Sequence, residues 1–215
     1  MLDYISGSVR ASLVTFALCG FAYPLAVTGV AQLLMPYRAN GSVVTNAGGR
    51  IIGSQLIGQE WRDPQWFHGR PSATVAADPQ DPTKTIAAPY NAANTTASNL
   101  GPTSKALQDR LAADRAALAA AQPELDGRPL PADMLTASAS GLDPDITPAN
   151  ARLQVARVAR ARGVKPEQIA ALVEQHITPR SLWIFGEPRV NVLELNLALE
   201  NAYPIIQGEH GNLNR

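Results

Sequence analysis

The chain has 215 residues, 46% of them hydrophobic, and its 18 basic and 18 acidic side chains cancel. That balance gives no basic footprint for a nucleic-acid partner. The single cysteine excludes an intrachain disulfide and a thiol-based metal site.

Residues 1–10 read as a short polar tail. Residues 11–35 then run without a charged side chain between Arg10 and Arg38. As a helix this stretch is ~37 Å long at ~1.5 Å per residue, against a hydrocarbon core of ~30 Å. It predicts a single transmembrane helix. A soluble core helix seldom stays uncharged for so long, and a cleavable signal has an apolar region of only about 7–15 residues. Leu18 is too large to precede a lipid-modified Cys19, so the reading is an uncleaved anchor. No second run of spanning length follows, and arginines on both flanks leave orientation open. Within the span Ala22, Ala26 and Gly29 form a face of small residues that lets a partner helix approach. Pro24 removes a backbone bond and bends the helix. The Met35-Pro36 step marks the exit.

Residues 36–215 predict one extramembrane α+β domain. Turns at Asn40-Gly41-Ser42 and Gly48-Gly49 separate two β-branched stretches, 42–45 and 50–57, that read as short strands. Residues 59–70 hold Trp61, Trp66 and Phe67, three of the seven Trp and Phe residues, which fits a core or a subunit interface. The stretch 71–104 carries five prolines and reads as a long Pro/Ala/Asn-rich binding loop. Residues 103–122 form a helix with a Leu107, Leu111 and Leu118 stripe, stopped by Pro123.

Residues 134–163 read as a loop and then a helix, with Thr147 as N-cap, Pro148 opening the helix and Gly163 closing it. Arg157 and Arg160 share a face with Leu153, either a solvated basic face or a docking surface for an acidic partner. A further helix runs over 166–176. Residues 190–199 carry two signals: Leu193, Leu195, Leu197 and Leu199 alternate as in a strand, while Asn191 and Glu194 are spaced as a helix cap pair. Composition favours helix there. Residues 208–215 read as a frayed tail.

Catalytic signals are missing. There is no phosphate-cradling G-x-x-x-x-G-K-[ST] loop and no Gly-rich fingerprint after a strand. His68, His176 and His210 are far apart, and none has a second ligand at metal spacing. Ser138 and Ser140 lie near Asp143 without a base in order.

Several motifs together carry a resemblance. They are Tyr23-Pro24-Leu25 with Thr28-Gly29 and Gln32, Ala39-Asn40-Gly41-Ser42, Gly53-Ser54-Gln55-Leu56-Ile57-Gly58-Gln59, and Trp66-Phe67-His68-Gly69-Arg70-Pro71-Ser72-Ala73. Ser98-Asn99-Leu100-Gly101-Pro102 follows, then Thr136-Ala137-Ser138-Ala139-Ser140-Gly141-Leu142-Asp143-Pro144, Arg157-Val158-Ala159-Arg160-Ala161-Arg162, and Gly186-Glu187-Pro188-Arg189-Val190-Asn191-Val192-Leu193. In this order, from about residue 20 to 200, they resemble the C subunit of the Kdp-type potassium-transporting ATPase.

The resemblance implies a non-catalytic accessory subunit of a bacterial inner-membrane complex that imports potassium with ATP. The implied partners are a channel-like potassium-binding subunit, a P-type ATPase subunit and a small single-span subunit. It also implies a cytoplasmic N-terminus, a periplasmic domain, and a catalytic-chaperone role that raises the pump subunit's ATP affinity, with ATP and potassium reached through the complex. Candidate interface residues are Ala22, Pro24, Ala26 and Gly29 in the membrane. In the domain they are Phe67, Gly69, Arg70, Pro71, Asn99, Gly141, Asp143, Pro144, Arg157 and Arg160. The rival reading is a membrane-anchored extracytoplasmic enzyme using carboxylates such as Asp143 and Asp145.

Overall fold

The computed structural model describes residues 2–46 and 48–205, so the tail read over 208–215 lies outside the described residues. The chain forms two compact units, Met1–Ser54 and Gln55–Arg215.

The first unit opens with α1 (Leu2–Ala17), a wide π turn (Leu18–Ala22) and α2 (Tyr23–Leu34). Together they make one continuous helix, of which Tyr4–Leu34, 31 residues, is long and apolar enough to cross a membrane. Residues 2–10 therefore belong to the helix and are not a separate tail. The break read at Pro24 takes the form of the π turn. A proline ring collides with the carbonyl four residues back and cannot donate to it, and a widened turn relieves both. Ala22, Pro24, Ala26 and Gly29 are all exposed on this helix.

After Met35 comes a single helical turn, α3 (Pro36–Ala39). The strands β1 (Val43–Thr45) and β2 (Ile51–Ser54) then pair antiparallel, with the register shifting between Val44 and Thr45.

In the second unit the stretch 71–104 is not one long loop. Its strands β3 (Val75–Ala77) and β4 (Thr85–Ala87) form an antiparallel hairpin. Asp78 and Asp81 shape its turn by accepting main-chain N–H groups two residues on. Strands this short, built from Ala and Thr as much as Val and Ile, leave no period for a sequence reading to detect. Helix α4 (Lys105–Ala121) matches its predicted span, and none of its residues is fully buried.

The core lies between three helices and a small sheet. The sheet has the antiparallel order β5 (Asp145–Ile146), β7 (Arg189–Asn191), β6 (Ile177–Thr178). The helices are α5 (Pro148–Arg162), α6 (Pro166–Gln175) and α7 (Val192–Ala202). Thr147 caps α5 by accepting from Asn150 N–H, and Gly163 closes it at φ 67°. Asn191 caps α7 by accepting from Glu194 N–H at 3.1 Å. The mixed signal over 190–199 thus separates into a strand end and a helix. Val192, Leu193, Leu195 and Leu199 are all buried, and a helix enclosed on most sides loses the single stripe that would reveal its period. Phe67, fully buried, sits in this core with Ile146, Val158, Ile169, Val190 and Leu195.

Candidate functional site

Two polar clusters gather most of the candidate residues. The first is built on Arg70, held extended by the following Pro71. Its Nη1 meets Asp143 Oδ2 at 2.9 Å, and its other nitrogens face the carbonyls of Thr136 and Ala137 at 3.4 Å. The loop bearing Asp143 is folded by its own side chains. Ser138 Oγ accepts from Gly141 N–H at 2.8 Å, Ser140 Oγ from Leu142 N–H at 3.1 Å, and Asp143 Oδ1 from Asp145 N–H at 3.0 Å. The two serines that lack a base are turn formers. Pro144 passes the chain on, its carbonyl accepting Val192 N–H at 3.0 Å.

Ser72 and Thr74 tie this loop to the segment after β4. Ser72 Oγ donates to Gly141 O at 2.7 Å and accepts from Tyr90 N–H at 3.0 Å. Thr74 Oγ1 donates to Ala88 O at 2.6 Å and accepts from Asn91 N–H at 3.1 Å. Gly141, at φ +70°, has no room for a side chain: a Cβ would lie 2.7 Å from Thr74 Cγ2 and 2.8 Å from Thr96 O. The Tyr90 hydroxyl donates to Arg70 O at 2.7 Å, and its ring packs so tightly on Gly58 that a Cβ there would lie 2.5 Å from Cε1. Gly69 leaves room for the same hydroxyl. Burial, with the Asp143 charge adding to it, pushes the Tyr90 phenol up to about 12.

The Arg70–Asp143 pair is a wall shared by two open clefts. One, of about 530 Å³, includes Leu56, Ile57, Ser138 and Pro144. The other, of about 360 Å³, includes Asp133, Asp145, Glu187 and Arg189. Asp145 pairs with Arg189 at 3.0 Å. Partial burial lifts its carboxyl above the usual carboxylate range, and Arg189 pulls the other way. Asp133 is committed to α5, accepting from Thr147 N–H at 2.7 Å and Asn150 Nδ2 at 3.0 Å. Asp143 and Asp145, the carboxylates of the enzyme reading, are thus each engaged by an arginine. Among the described residues no group of three His, Cys, Asp or Glu could hold a metal ion.

The Arg70–Asp143 pair, each side chain about a quarter exposed, is expected to be worth about 1 kcal/mol as a charge-assisted bond near the surface. A double-mutant cycle with Arg70→Met and Asp143→Asn, read by urea unfolding, should return that coupling. Strictly additive losses would show that the two side chains act separately.

The second cluster grips residues 64–68 from the helices. Asn196 of α7 accepts from Phe67 N–H at 2.8 Å and donates to Phe67 O at 2.9 Å. Gln154 of α5 does the same for His68, at 2.7 and 3.0 Å. Each buried amide thus takes the place of a missing neighbouring strand. Arg157 lies inside the fold, 5% exposed, and not on a solvated face. Its Nη1 donates to Pro64 O at 2.6 Å and Trp66 O at 2.9 Å, and its Nη2 to Gln154 at 2.6 Å. All three acceptors are neutral, and burial lowers the guanidinium pKa to about 10. Burial also lowers His68, with the Arg157 charge as the second cause. Arg162 stacks 4.4 Å over the Trp66 ring and pairs with Glu200 at 2.9 Å. Arg160 alone of the predicted arginine pair is exposed, bonded to Glu124 at 3.0 Å.

Asn99 joins neither cluster; it is exposed, at φ 52°. Sequence reasoning passed over Tyr90, Gln154, Asn196 and Thr74, and met Ser72 only as part of a motif. Only Asn196 left a signal, an amide set between Leu195 and Leu197.

A helix long and apolar enough to cross a membrane, followed by a small α+β unit whose polar residues hold its loops in shape, is the outline of a membrane-associated protein. Residues 5–201 match the family described as K+-transporting ATPase, c chain. The chain is 55% identical over 204 residues to a potassium-transporting ATPase KdpC subunit of Rhodopseudomonas palustris, covering 95% of this chain and 100% of that one. It is 54% identical over 202 residues to the protein of the same name from Bradyrhizobium diazoefficiens, covering 94% and 98%. For that of Methylorubrum extorquens the figures are 53% over 199 residues, covering 93% and 97%. The chain belongs to the KdpC family of potassium-transporting ATPase subunits.

Proposed function

We propose that this chain is a non-catalytic accessory subunit that assembles and stabilises an ATP-driven, high-affinity potassium importer and raises the ATP affinity of its P-type ATPase subunit. The observation that carries the reading is the internal commitment of the motif residues. Arg70, Ser72, Asp143 and Arg157 are engaged with other side chains and with main chain, so they present shape and not a reacting group. The partners are a channel-like potassium-binding subunit, the P-type ATPase subunit and a small single-span subunit. Ala22, Ala26 and Gly29 form the face that packs on a partner helix, and Pro24 shapes the helix there. In the extramembrane unit Arg160 takes the contact role first read for the arginine pair, with the clefts beside Arg70 and Asp143.

The chain sits in a bacterial inner membrane with its N-terminus inside and residues 36–215 in the periplasm. One span puts that whole region on one side, away from cytoplasmic nucleotide. Its effect on ATP is therefore a coupling between separated sites, exerted by favouring one conformation of the assembled pump.

Complexes purified with and without this chain test the function. The ATP concentration giving half-maximal potassium-stimulated hydrolysis should rise several-fold when the chain is missing, the size of a coupling of about 1 kcal/mol. An unchanged value overturns the chaperone reading. Orientation is read by replacing Cys19 with Ala, placing a cysteine at the exposed Ser98, and treating outer-membrane-permeable cells with an impermeant maleimide. Labelling before lysis fits the periplasmic side; labelling only after the inner membrane is opened refutes it.

A further inference from the structure

Between β6 and β7 the chain makes a tight projecting turn whose tip is apolar throughout. Leu182, Trp183, Ile184 and Phe185 are 78, 92, 69 and 60% exposed. The turn is built and not loose. Ser181 and Phe185 exchange main-chain bonds, at 2.8 Å from Ser181 N–H and 2.9 Å from Phe185 N–H, and Arg180 pairs with Glu187 at 2.5 Å across its base. Leu182 and Trp183 both sit at positive φ, 50° and 70°, where large side chains are strained. Strain and solvent exposure of four large apolar side chains are both unfavourable in water, so the turn is organised for another surrounding.

We propose that this tip inserts into the headgroup and upper acyl region of the lipid bilayer. Three observations favour lipid over a protein groove. The chain carries its own spanning helix, so a bilayer is always at hand at high effective concentration, and a weak contact suffices. The tip offers on the order of 500 Å² for two aromatic and two aliphatic side chains, short of the ~800 Å² per partner of a stable protein interface. Trp and Phe at an apolar point are suited to the membrane–water boundary, which needs no complementary pocket. The flanking arginines are already paired, Arg180 with Glu187 and Arg189 with Asp145, so the contact is apolar and insensitive to salt. The inference is independent of the function proposed above and of which side of the membrane the unit occupies.

The test uses the full chain in phosphatidylcholine–phosphatidylglycerol vesicles whose acyl chains carry bromine near the headgroup. Trp183 is one of three tryptophans, and its share of the emission is the difference between wild type and Trp183→Phe. That share should be quenched two-fold or more relative to vesicles of plain lipid, equally at low and high salt. The same measurement on the chain within the assembled complex should give the same quenching. An equal signal in brominated and plain vesicles overturns the proposal. Quenching that disappears in the complex also overturns it, and identifies a protein surface as the occupant.

Discussion

Arg157→Glu should cost the extramembrane unit about 3–5 kcal/mol, the range for leaving buried charge uncompensated. The guanidinium holds the carbonyls of Pro64 and Trp66 and the Gln154 amide oxygen. A carboxylate in its place would face these same acceptors with no proton to give. Urea unfolding of the full chain in detergent, followed by tryptophan fluorescence, measures the loss. Arg157→Met isolates the hydrogen bonds from the charge, and its cost should be smaller, about 1–3 kcal/mol. Recovery of the complex should fall with the stability of the unit. Complex lost with the unit unharmed would put Arg157 at a partner surface, against its burial.

Gly141→Val should be nearly as severe, about 2–5 kcal/mol. Holding a non-glycine residue at positive φ costs about 1–2 kcal/mol, and overpacking adds about 1–3. The obstacles are a Thr74 methyl and the Thr96 main-chain carbonyl, of which the second cannot swing away. Relief would require the loop to leave Ser72, breaking the bond that joins it to Gly141 and so loosening the Arg70–Asp143 pair. Hydrogen exchange should then rise at Gly141 and Tyr90 together, whose N–H groups bond to Ser138 and Ser72. Exchange confined to one of them would show that the two segments are not coupled.

The elements with local determinants were legible in the sequence. The apolar run marked the long N-terminal helix, and Thr147, Pro148 and Gly163 marked α5 because caps act over three or four residues. The cap pair Asn191 and Glu194 was the stronger signal over 190–199, since a capped amide is a specific bond whereas alternation of leucines arises in any enclosed helix. What escaped depends on contacts far apart in the chain. Nothing near Tyr90 announces that two glycines leave space for its ring, and nothing near Gln154 says that it pairs with His68. Arg157 and Arg160 are three residues apart and chemically alike, yet one is inside and the other outside. Only the position of residues 64–68 decides between them.

The grip on residues 64–68 also sets an order in time. Asn196 follows the main chain it holds by 129 residues, which at bacterial or slower rates of synthesis is on the order of ten seconds. During that interval the long N-terminal helix is already made, while Trp66 and Phe67 lack α7 throughout and α5 for most of it. The long apolar helix is therefore complete before the unit that follows it can mature. The aromatic segment is the part most in need of protection until the final helix arrives.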